Sequence, residues 1–110
     1  MHFYQIAVLL ALWLVKSIGV ATAADLSASR RAELDNLLKQ DCGSCHGLTL
    51  KGGLGPPLTP EALADRSVAL LAETIAHGRP DNAMPPWGPL LSADDIHWLA
   101  ERLKRGEPVP

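Results

Sequence analysis

Cys42-Gly43-Ser44-Cys45-His46 opens a run that continues as Gly47-Leu48-Thr49-Leu50-Lys51-Gly52-Gly53-Leu54-Gly55-Pro56-Pro57-Leu58-Thr59. Its first five residues hold both cysteines of the 110-residue chain, three positions apart, with an imidazole directly after the second. A disulfide between such close neighbours would close almost no loop and add little stability. The spacing therefore serves chemistry. Two thiols so placed can add across the two vinyl groups of a haem while the adjacent imidazole reaches the iron. A dithiol redox site would need a strand-to-helix setting within a βαβ unit, and no segment here alternates with period two. A zinc site would need further ligands at suitable spacing; His77 and His97 are isolated and there is no second cysteine pair. The residues favour one covalent haem c on Cys42 and Cys45 with His46 on the iron.

Working outward towards the N-terminus, Ile6–Val15 (IAVLLALWLV) is an apolar run followed by small residues that end in Ala21-Thr22-Ala23. That pattern predicts an export signal over residues 1–23, cut after Ala23, and an oxidising destination, the periplasm. An uncleaved membrane anchor is the competing reading, although ten clean apolar residues fall short of the ~20 that span a bilayer. The remainder, residues 24–110, reads as one domain with little apolar surface to bury. With 9 Pro and 9 Gly in the chain, regular structure is limited too. Domains this small often rest on a metal or cofactor, and a large apolar cofactor would supply the missing core. The domain carries 9 basic and 12 acidic residues. Mild acidity without a basic run excludes nucleic acid as a partner.

Three helical stretches are expected. The first runs over about Ser29–Gln40, where Leu34, Leu37, Leu38 and Cys42 recur at three- and four-residue steps. The second covers Ser67–His77, with Val68, Leu71 and Ile75 as its stripe and Gly78 as its stop. Thr59-Pro60 opens a shorter turn before it. The third covers Ser92–Arg105, capped by Ser92 with Asp95, buried through Ile96, Leu99, Ala100 and Leu103, and ended by Gly106. The loops at 47–58 and 79–91 are too rich in Gly and Pro to be helical throughout. The fold class is all-α.

The far face of the iron needs its own ligand. After the initiator the chain has one methionine, Met84, in a loop stiffened by Pro85 and Pro86. A thioether held by residues of restricted φ suits a fixed ligand. The alternatives are that Met84 fills a gap in the core, that His77 or His97 is the ligand, or that the position is open. Trp13 belongs to the export segment. Trp87 and Trp98 read as packing residues, with Trp87 a candidate shield on the Met84 side.

These residues resemble the class I cytochromes c over nearly the whole domain: a helix, Cys42 to His46, Gly55-Pro56-Pro57-Leu58, Met84-Pro85-Pro86-Trp87, then a last helix crossing the first. The resemblance implies that the Pro56 carbonyl orients the His46 ring, with the register uncertain by one residue because the proline is doubled. It also implies that Leu58 packs on the porphyrin. More narrowly, the run from Asp41 to Thr59, with Gly78-Arg79-Pro80, is similar to the small periplasmic c55X-type cytochromes associated with haem-cd1 nitrite reductase in denitrifying bacteria. That implies a place in nitrite respiration, with nitrite reductase the candidate redox partner. A single-electron carrier and no enzyme, a monomer, and no membrane contact after cleavage are the accompanying expectations. A role in haem d1 biosynthesis or reductase maturation, and a haem sensor with an open site, stand as alternatives.

Overall fold

The computed structural model describes residues 25–110; the export segment and Trp13 lie outside them. Four α-helices carry the fold, and no strand occurs among the described residues. α1 spans Ala28–Leu37, passes through a π-helical segment, Leu38–Cys42, and runs on into α2, Gly43–His46. α3 is Val68–His77 and α4 is Ala93–Arg105.

The first helix departs from its expected limits at both ends. Ser27, two residues before the predicted start, is the cap, its Oγ accepting the Arg30 N–H at 3.1 Å. At the other end the backbone stays helical to His46 and does not stop near Gln40. A π turn takes in extra backbone and re-aims the residues C-terminal to it. Leu34 and Leu38 fill the core, each 1% exposed. Cys42 packs at the core's edge, and Cys45 emerges on the exposed side.

The later helices form as their end signals dictate. Ser67 Oγ accepts from Leu70 N–H at 3.0 Å, and Gly78 ends α3. The Thr59-Pro60 turn closes by a 3.0 Å bond from Leu63 N–H to Thr59 O, which inserts Leu63 into the core. In α4 the capping box is complete: Ser92 Oγ accepts from Asp95 N–H and Asp95 Oδ2 from Ser92 N–H, both at 3.1 Å. Ile96, Leu99, Ala100 and Leu103 are buried as their spacing predicts.

The core joins Leu34 and Leu38 to Leu50, Leu63, Leu71, Leu99, Ala100 and Leu103. Each buried leucine stabilises the fold by roughly 1.5–3 kcal/mol. Leu50 reaches the core from inside the 47–58 loop with φ +60, a left-handed conformation that costs a non-glycine residue about 1–2 kcal/mol and that burial of its side chain offsets. Two reciprocal ion pairs lock α1 to α4. Arg30 donates to both carboxylate oxygens of Asp95, at 3.0 and 2.7 Å. Arg102, buried on α4, donates to Asp35 Oδ1 at 3.0 Å and to the carbonyls of Glu107 and Pro108.

Candidate cofactor site

His46 ends α2, and the loop after it folds back to satisfy the carbonyls that a helix leaves unpaired. Leu50 N–H donates to Gly47 O at 2.8 Å, Gly52 N–H to His46 O at 2.8 Å and Gly55 N–H to Cys45 O at 2.7 Å. This return brings the Pro56 carbonyl to His46 Nδ1 at 2.7 Å. A carbonyl can only accept, so Nδ1 carries the proton and Nε2 keeps its lone pair. Nε2 is thus the nitrogen that could bind a metal, and a ring N–H held by a backbone carbonyl is the arrangement usual for metal-binding histidines. The doubled proline resolves to Pro56.

Gly55 allows this approach. A Cβ there would lie 2.8 Å from both Cε1 and Nδ1 of His46, so any side chain would push the ring aside. Nothing in the local pattern announces that contact beyond the presence of glycine beside proline. Leu58 is half-buried against the core and its N–H donates to Leu50 O at 2.8 Å.

The two thiols are free and unequal. Before haem is attached, burial, then the Asp41 charge, pushes the Cys42 thiol up to about 11. A reactive dithiol needs the opposite shift. Among the described residues no group of three or more His, Cys, Asp or Glu side chains could hold a metal ion. His77 and His97 are exposed, and each faces a glutamate one turn along its own helix, Glu73 at 3.3 Å and Glu101 at 3.2 Å.

Met84 comes from a separate element. It is half-buried in a segment that runs back along the last turn of α3. Arg79 N–H donates to Met84 O at 3.1 Å, and Trp87 and Gly88 N–H donate to the carbonyls of Ile75 and Ala76, both at 3.0 Å. The structure therefore groups Cys42, Cys45, His46 and Pro56 in one local cluster and holds Met84 in a stapled loop on another helix.

The donor set fits a haem: two thiols three apart, an imidazole whose Nδ1 is hydrogen-bonded and whose Nε2 is left without a proton, and one thioether in a loop bonded to α3. The packing also fits, because Leu54, Leu90, Leu48 and Leu70 are 95, 73, 63 and 45% exposed, apolar surface the protein core leaves uncovered.

Comparison with known proteins agrees. The family described as cytochrome c oxidase, cbb3-type, subunit III matches residues 30–101. Cytochrome c55X of Stutzerimonas stutzeri is 55% identical over 91 residues, covering 83% of this chain and 80% of that one. The solved structure of the c-type cytochrome NirC is 58% identical with a TM-score of 0.74, over 77% of this chain and 100% of that one. Dihydro-heme d1 dehydrogenase NirN, solved in complex with DHE, is 35% identical with a TM-score of 0.62, over 67% of this chain and 16% of that one. Helices without strands, with two thiols and an imidazole in one short segment, define a small c-type cytochrome whose cofactor is a covalently attached haem c. Within that class the chain belongs to the cytochrome c55X family.

Proposed function

We propose that this chain is a periplasmic, monomeric carrier of single electrons in denitrification, delivering them to a cd1-type nitrite reductase. When bound, the haem iron supplies a one-electron Fe(III)/Fe(II) couple. Cys42 and Cys45 hold the porphyrin through thioethers, which keeps it from being lost in an open compartment. His46 would offer Nε2 to the iron, its ring kept aimed by the 2.7 Å bond to Pro56 O. Met84 would offer its sulfur to the iron; a thioether favours the reduced iron and would raise the potential relative to a second imidazole. Leu58 contributes apolar packing against the ring. With both residues bound, small ligands would be kept from the iron, which suits a carrier and not a sensor or a catalyst.

The observation that carries this reading is the locked His46 ring, together with a methionine held in a stapled loop. No helix among the described residues is long and apolar enough to cross a membrane. Rapid mixing of the reduced protein with oxidised nitrite reductase tests the role. One electron should leave each cytochrome as the reductase haem is reduced. No transfer at any ionic strength would refute delivery to that partner.

The similarity to the dihydro-heme d1 dehydrogenase favours a second reading, electron exchange with an enzyme of haem d1 maturation. It predicts that deleting this protein causes a haem d1 precursor to accumulate while nitrite reductase remains reducible by other donors.

A further inference from the structure

We propose that Gly78 is a positioning residue for Met84, setting the reach of its sulfur and so the closure of the sixth iron position. This rests on the reading of Met84 as axial ligand. Gly78 has φ +66 and ψ −162, a conformation open in practice to glycine alone. Ending the helix explains a glycine here, but it does not explain what lies against it. A Cβ at this position would stand 2.6 Å from Met84 O, 2.7 Å from Pro85 C and 2.8 Å from Pro86 N. All three are backbone atoms, so no side-chain rotation could relieve the clash.

The surrounding bonds show why that contact matters. The Met84 segment is tied to the end of α3 by Arg79 N–H at one side and by Trp87 and Gly88 N–H at the other. Between these ties stand Pro85 and Pro86, which have no N–H to donate. Their backbone is located by resting on the bare Cα of Gly78. A methyl group there would lift the chain at Met84 while leaving Cys42, Cys45, His46 and Pro56, all on other elements, in place.

The test compares haem-loaded wild type with G78A, G88A, M84A and G106A. Wild type should show the sulfur-to-iron charge-transfer absorption of the oxidised protein, and M84A should lose it. If wild type lacks that band, the Met84 reading fails at its base. With the band present, G78A should weaken or abolish it. Reduced G78A should also bind carbon monoxide roughly tenfold faster or more, the change that a sulfur–iron contact weaker by about 1.4 kcal/mol gives. G106A places a similar strain at the end of α4, where a Cβ would meet Pro60, and should keep the wild-type band. G88A presses more gently on the same staple, its Cβ meeting Ala76 O at 3.0 Å, and should weaken the band partly. It decides the matter if G78A does not fold. A full-strength band and wild-type carbon monoxide binding in folded G78A, or in G88A where G78A is unfolded, would overturn the proposal.

Discussion

At the scale of single residues, the site is built by making one nitrogen unavailable. His46 Nδ1–H donates to the Pro56 carbonyl, which leaves Nε2 as the nitrogen free to bind a metal. Gly55→Ala should break this. Its methyl group would enter the ring's space, costing about 1–3 kcal/mol in thermal or denaturant unfolding through overpacking. It should also shift the absorption of the oxidised protein as the ring turns. Unchanged stability and spectrum would show that the ring does not depend on that glycine. Met84→Ala should lower the reduction potential by roughly 0.1 V or more, a fraction of the ~0.8 V range that axial ligation sets, as a potentiometric titration would record. Cys42, Cys45 and His46 were legible because covalent attachment fixes their spacing within five residues. The Gly55 contact was not, since it depends on a loop bringing residues nine apart against one another.

At the scale of elements, the α1–α4 crossing combines burial with charge. Ala100 is fully buried, and Arg30–Asp95 and Arg102–Asp35 bind the two helices from both sides. The Arg30 guanidinium, with Ser92 assisting, holds the Asp95 carboxyl down at about 2. A depressed carboxylate contributes stability that is present above its unfolded value near 3.8 and is lost as pH falls towards 2. Acid titration of helicity should therefore show a component between about pH 4 and pH 2 that is missing in Asp95→Asn. At neutral pH that variant should be about 1–3 kcal/mol less stable, having lost charged hydrogen bonds. A wild-type acid transition in Asp95→Asn would assign the effect elsewhere. The capping box of α4 was legible because its signal spans three residues. The π turn was not, because Leu34, Leu38 and Cys42 keep a four-residue step whether the turn is α or π. Arg102 was also missed; arginine is an exposed residue by default, and its burial depends on Asp35 and on two tail carbonyls.

At the scale of the whole molecule, a few buried leucines must hold together a chain rich in loops. Leu54 and Leu90 are 95 and 73% exposed, apolar surface that the protein core leaves uncovered. Replacing Cys42 and Cys45 together with alanine should leave a chain that cannot keep haem. Its far-UV circular dichroism should show most of the helix lost; a helical, cooperatively melting protein would mean that the haem is not part of the core. The all-α class and the order of motifs were legible, since helix periodicity and Gly/Pro breaks are local. The way residues 84–88 lie along α3 was not, because backbone bonds such as Trp87 N–H to Ile75 O leave no trace in residue types.

The carrier reading stands on an iron held from both sides, by His46 and by Met84, and exchanging one electron. An absorption-monitored redox titration of the purified protein, repeated under carbon monoxide, measures this. One reversible one-electron wave, a sulfur-to-iron band in the oxidised form and a midpoint little moved by the gas are the predicted result. A wave without that band, shifted strongly upward once carbon monoxide is admitted, would contradict it.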